Sequence, residues 1–115
     1  MPEAVPEAVQ IPAEDAILLA DGSAWMLDVR EQDEWDRGHA PQAHLIPMGA
    51  IMDRIDELPG DRQILVVCHS GYRSWQVTKA LVNAGYDAVN VAGGMEAWQS
   101  AGGVVVTDGP GDTLD

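Results

Sequence analysis

The sequence predicts an α/β fold: a central five-stranded, mainly parallel sheet with helices on both faces. Three observations lead there. Short apolar runs alternate with segments of helical spacing along the chain, as successive β-α units do. Residues 63–68 (QILVVC) are apolar without alternation apart from the leading Gln63, the pattern of a strand covered on both sides. Glycine or proline closes most segments, at Gly22, Gly38, Pro47 and Gly85, where a helix or strand has to stop.

Residues 7–11 (EAVQI) form the first strand. Residues 12–22 read as a helix, with Pro12 at its start and Glu14 and Asp15 in its first turn. Its apolar positions are Ala16, Ile17, Leu19 and Ala20, and Gly22 ends it. Residues 24–30 (AWMLDVR) are an apolar run ending in charge, hence a buried strand whose carboxyl end carries Asp28 and Arg30. Residues 31–38 form a short acidic helix closed by Gly38, and 43–47 a third strand stopped by Pro47. Ile51, Met52, Ile55 and Leu58 recur at helical spacing and predict a helix over 49–60. The strand 63–68 is the most apolar and takes the centre of the sheet. Residues 72–85 form a helix with Trp75, Val77, Thr78, Ala80, Leu81 and Val82 partly on one face and Gly85 as its cap. A fifth strand (87–91) and a closing helix (94–102) follow. The tail adds a short strand and then a flexible Gly/Pro/Asp segment.

The 115 residues fit one domain, with a core over about 8–103 and an acidic tail over about 104–115. At 46% hydrophobic and 22% charged, the chain can bury a core without disulfides or a structural metal. It has 19 acidic residues against 6 basic ones, a net charge of -13. That balance excludes nucleic acid and anionic membranes as partners and leaves room for a basic protein. No run approaches the roughly 18 apolar residues of a membrane span. The first residues lack the basic and apolar regions of a secretory signal. A lone cysteine forms no internal disulfide, which suits a reducing cytoplasm.

That cysteine opens the stretch Cys68-His69-Ser70-Gly71-Tyr72-Arg73-Ser74. Ligands of open parallel sheets bind outside the carboxyl ends of the strands, and Cys68 ends the central one. The helix that follows presents unpaired N–H groups, and a glycine-containing turn can aim several of them inward as an anion-binding nest. A thiol in such a cup is partly thiolate, with Arg73 adding positive charge. The ordinary alternative is a structural cysteine; the polar residues, glycine and arginine after Cys68 turn the balance to nucleophilic chemistry. A metal is not expected, because Cys68 and His69 are adjacent while His39 and His44 lie far off without ligand spacing. Ser70 and Ser74 stand in no pattern with a histidine base and an acid.

Three stretches together resemble the rhodanese family, over roughly residues 8 to 103. LDVREQDEWDRGHAPQAHLIP is similar to its first signature, VVCHSGYRS to its active-site loop, and GYDAVNVAGGMEAWQSAG to its closing signature. The resemblance implies a rhodanese-like three-layer fold and a sulfurtransferase. Cys68 would take the outer sulfur of a donor such as thiosulfate as a persulfide and pass it to a thiophilic acceptor, cyanide or a thiol. No cofactor is implied beyond that covalent intermediate. The implied partners are the small donor and acceptor and a sulfur-relay protein, with the chain a monomer or homodimer. The N–H groups from His69 to Ser74, including those of Ser70, Gly71 and Tyr72, would hold the terminal sulfur. Arg73 would pin the loop and add charge, Arg30 would line the pocket and help bind the donor anion, and Asp28 would orient its neighbours. The chain carries His69 where many active members have arginine, so thiosulfate binding is expected to be weaker or pH-dependent. Tyr72 is bulkier than the usual residue and would shape the mouth or cover the surface.

Two other functions fit the same residues less fully. A persulfide-carrying or sulfur-sensing interaction module would keep Cys68 but not turn over thiosulfate. A phosphatase or arsenate reductase would use a loop one residue longer than the four residues between Cys68 and Arg73.

Overall fold

The computed structural model describes residues 7–107. Its strands are β1 (Val9–Ile11), β2 (Trp25–Asp28), β3 (Ala43–Leu45), β4 (Ile64–Val67) and β5 (Ala88–Val91). Its helices are α1 (Ala13–Ala20), α2 (Gln32–Asp36), α3 (Tyr72–Asn83) and α4 (Gly94–Ser100). The sheet order is β1-β5-β4-β2-β3, and every neighbouring pair is parallel. The apolar run at β4 is therefore the central strand, as predicted. Parallel pairing puts the carboxyl ends of all five strands on one edge, where the loops after β2, β4 and β5 meet.

Alternation along the strands divides the core into two layers. Leu65 and Val67 of β4 face one side and pack with Met26, Val91, Met95, Trp98 and the alanines of α1. Ile64, Val66 and Cys68 face the other, with Leu27, Val29, Val77 and Leu81. The first layer lies under α1 and α4, the second under α3. Cys68 therefore points to the α3 side, below the start of that helix. In α3 itself Val77, Thr78 and Leu81 are buried, whereas Ala80 is exposed.

The helix expected over 49–60 is instead two 3-10 turns, Met48–Ala50 and Ile55–Glu57. Ile51 and Leu58 are buried, so the apolar spacing is used, but Met52 is exposed. Gly49 weakens a helix at its start. Arg54 leaves the helical region at φ -113° and ψ 20°, and its guanidinium clamps Glu57 three residues on, at 2.8 Å through two nitrogens. Leu58, before Pro59, is extended, as that position requires. The expected tail strand is a single antiparallel bridge between Val106 and His39. Residues 1–6 and the Gly/Pro/Asp segment over 108–115 lie outside the described residues. No helix among the described residues is long and apolar enough to cross a membrane.

One tertiary contact positions the loop after β4. The Met95 N–H of α4 donates to the Cys68 carbonyl at 2.7 Å, and the Glu96 N–H to the His69 carbonyl at 3.1 Å. Gly94 lies at φ +60°, and a Cβ there would come within 2.4 Å of the Cys68 carbonyl oxygen. Gly94→Ala thus combines a left-handed backbone with a backbone collision. We expect it to destabilise the fold by about 2–5 kcal/mol in urea denaturation; a loss under 1 kcal/mol would show that the loop and α4 separate easily.

Candidate functional site

The loop from Cys68 to Ser74 closes around the Cys68 sulfur. Gly71, at φ +106°, turns the chain so that its N–H donates to Sγ at 3.2 Å. Ser74, fully buried in the first turn of α3, donates its hydroxyl to Sγ at 3.3 Å. Burial pushes the Cys68 thiol up, but the Ser74 hydroxyl and the N–H groups of Ser74, Gly71 and Ser70 stabilise the thiolate more. The net effect holds it below the ordinary thiol value. These groups form an inward-facing cup whose centre is one sulfur atom. Cys68 itself is 1% exposed, so a reactant must enter the cup to meet it.

The two arginines are committed to carboxylates. Arg73 reaches across to α2 and binds Glu34 through both terminal nitrogens, at 2.7 and 2.8 Å. The Arg73 hydrogen bonds hold the Glu34 carboxyl at about 2, and the guanidinium is raised in turn. Glu34 also accepts the Glu31 N–H at 3.0 Å, closing a capping box on α2. Arg73 therefore ties the start of α3 to α2. Its charge acts first on Glu34 and only secondarily on Cys68. Asp28 and Arg30 are both buried. Asp28 accepts the Arg30 backbone N–H and side chain at 2.8–3.1 Å, and Arg30 Nη2 donates to the Gly38 carbonyl at 2.7 Å. Asp28 thus orients Arg30, and Arg30 ties β2 to the end of α2.

Beside the cup lies a cleft of about 350 Å³ lined by residues that include Arg30, Arg37, His69, Met95, Glu96 and Gln99. His69 lines it, and its Nε2 sits 3.1 Å from Glu96 Oε2, with both side chains more than half exposed. Ser70 contributes its backbone to the cup and is exposed. Tyr72 is 72% exposed and covers surface beside the loop. Trp98 is core, its Nε1 donating to the Val104 carbonyl at 2.9 Å. Trp75 stands away from this cleft, next to Lys79. His39 is stacked on Trp35 at 3.6 Å, a packed position.

Sequence reasoning found the cup but not the groups that hold it. Glu34 lay inside a recognised stretch without a role, since its partner is 39 residues on. Glu96 lies in the closing stretch GYDAVNVAGGMEAWQSAG, in which the sequence reading gives no single residue a role. An acid at the start of α4 beside a double glycine was the available signal for Glu96.

The family model described as rhodanese-like domain matches residues 12–101. A provisionally named sulfurtransferase of Bacillus subtilis is 42% identical over 80 residues, 70% of this chain and 78% of that protein. A provisionally named sulfur carrier protein of the same organism is 38% identical over 80 residues, 69% of this chain and 43% of that protein. A rhodanese-related protein of Thermoplasma volcanium superposes with a TM-score of 0.81 at 29% identity, covering 87% of this chain and 99% of that one.

Two outcomes follow from the site's electrostatics. Ser74→Ala removes a donor from the thiolate, so the pH midpoint of Cys68 alkylation by iodoacetamide moves up, and the rate below it falls about three- to tenfold. An unmoved midpoint would place the stabilisation in the backbone alone. Glu34 has a depressed folded value, so its stabilisation is full above the ordinary carboxylate value of 4.5 and is lost as pH falls towards about 2. Glu34→Gln should therefore cost about 1–2 kcal/mol at pH 7. The difference in Tm from wild type should close between pH 4.5 and about 2; a constant difference across that range contradicts the assignment.

Proposed function

The chain belongs to the rhodanese-like domain family, and on that premise we propose that it moves a sulfane sulfur through a persulfide on Cys68. In the first step the Cys68 thiolate attacks the outer sulfur of the donor. With thiosulfate the S–S bond to the sulfonate breaks, and sulfite leaves with the bonding pair. In the second step an acceptor thiolate or cyanide attacks the terminal sulfur, and the Cys68 thiolate leaves with its pair. Both steps displace sulfur from sulfur and need no general base once the thiol is ionised. The intermediate is covalent, so no cofactor takes part.

The observation that carries this proposal is the convergence of Gly71 N–H and Ser74 Oγ on one sulfur. A persulfide ends in an anionic sulfur, and inward N–H groups at a helix start suit it without a bound cation. The likeness to proteins named as a sulfurtransferase and a sulfur carrier supports a place in a sulfur relay with a thiol-bearing protein as donor or acceptor. A lone thiol suits a reducing compartment such as the cytoplasm.

A second reading, a persulfide carrier that does not turn over thiosulfate, draws on the pairing of His69 with Glu96. The Glu96 carboxylate puts negative charge at the rim, where a dianionic donor would need the opposite.

Mixing the protein with thiosulfate or a low-molecular-weight persulfide should add one sulfur by mass, removed again by cyanide and absent in Cys68→Ala. No adduct with any donor would sink the proposal. His69→Arg should raise thiosulfate kcat/KM about threefold or more by adding a permanent charge at the rim; unchanged kinetics would show that this position does not limit donor binding.

A further inference from the structure

Strand β5 reads Ala-Val-Asn-Val and is buried at all four positions. Asn90 is thus a polar side chain in the middle of a sheet, with no exposed surface. By alternation it points, with Ala88, to the α3 face. Its register partner is Val66, two residues before Cys68. Buried amides are expected to use both ends, yet Asn90 Oδ1 has no hydrogen-bond partner among the described residues. A leucine has the same branched skeleton without that cost.

The other end of the amide is engaged. Nδ2 donates to Gln10 Oε1 of edge strand β1 at 2.9 Å, and lies 3.4 Å from the Gly71 carbonyl oxygen. A carbonyl can only accept, so the amide atom facing it is the nitrogen, and the orientation follows. The same Gly71 carbonyl accepts the Trp75 N–H at 3.2 Å, while the Gly71 N–H is the donor to Cys68 Sγ. On its other side Gly71 abuts the turn after β5, where an added Cβ would lie 3.2 Å from the Gly93 nitrogen. Gly71 occupies a left-handed conformation with no side chain to hold it. Its N–H lies in the peptide plane shared with Ser70 and its carbonyl in the plane shared with Tyr72, so the N–H keeps its aim only while the gripped carbonyl and the blocked Cα prevent the two planes from turning about Gly71.

We propose that Asn90 is a positioning residue for the sulfur cup: anchored by Gln10, it holds the Gly71 carbonyl so that the Gly71 N–H stays aimed at Cys68 Sγ, and its unpaired oxygen is the cost of that task. The proposal rests on the loop being the cup that holds sulfur on Cys68. It adds an element from the far side of the sheet, since a single amide connects the exposed edge strand β1 to the nucleophile's loop.

The test needs no sulfur donor, so it is separable from the function itself. Asn90→Leu removes the amide and keeps its branched skeleton with two bulkier methyl groups, and Gln10→Leu removes its anchor at an exposed edge. The rate of Cys68 alkylation by iodoacetamide is followed against pH, with Tm measured in parallel. For Asn90→Leu the midpoint moves up and the rate below the wild-type midpoint falls about three- to tenfold. Gln10→Leu shifts the same way by less. The Tm of Asn90→Leu reports the balance between the unpaired acceptor that is gone and the methyl volume that is added. The midpoint decides. If it is unchanged in Asn90→Leu, the proposal falls whatever Tm does; if that variant does not fold, an unchanged midpoint in Gln10→Leu has the same force. A protein that shows the shift but accepts no sulfur would retain this role for Asn90 and lose the sulfurtransferase proposal instead.

Discussion

The structure depends on how the backbone of Cys68 and His69 is oriented. Their carbonyls are taken by the first amides of α4, at Met95 and Glu96. With the His69 carbonyl turned away, the Ser70 N–H of the same peptide plane faces the sulfur, next to the Gly71 N–H. A chain that satisfied these carbonyls within its own loop could not point its donors the same way, because peptide planes are rigid. The close approach this requires explains Gly94, where a side chain would collide with both carbonyls. The closing stretch of the sequence is therefore part of the site, through the backbone amides of Met95 and Glu96.

The charges around the cup are balanced in pairs. Arg73 meets Glu34 and Arg30 meets Asp28, while His69 faces Glu96 on the rim. Anion stabilisation at Sγ consequently falls to neutral dipoles, which are short-ranged and fixed in direction. Such a cup favours an anion of defined size at a defined point over any anion nearby. The arginines hold α2, α3 and the strand ends in register, and so fix where the dipoles aim. This separation of tasks fits a chain with a net charge of -13, whose surface would not attract a free dianion over distance.

The sheet was legible because strands buried on both faces have few polar options, and β2, β4 and β5 show it directly. The cup was legible because cysteine, glycine and the helix start are consecutive. The stretch 49–60 was misread because Ile51 and Leu58 bury equally well from two 3-10 turns as from one helix, and spacing alone does not distinguish them. Arg54 and Pro59 break the helix, and their effect lies in dihedrals that apolar periodicity does not report. Glu34 and Asn90 were out of reach for another reason. Each acts on a partner brought near only by the sheet order, and an acid in an acidic helix or an asparagine in a strand has no local mark of that partner.

The chain has one cysteine, and it lies almost wholly beneath the surface. Two such thiols cannot meet across two copies without the loop opening, since a disulfide needs the two Cα atoms within about 7 Å. Nor is there a second thiol in the chain to displace an atom from the first. Whatever group Cys68 carries must therefore leave by encounter with a visitor small or thin enough to enter the cup. With the proposed persulfide on Cys68, the chain would be a store with one place and no internal drain, and the lifetime of its load would be set by the concentration of whatever can reach it.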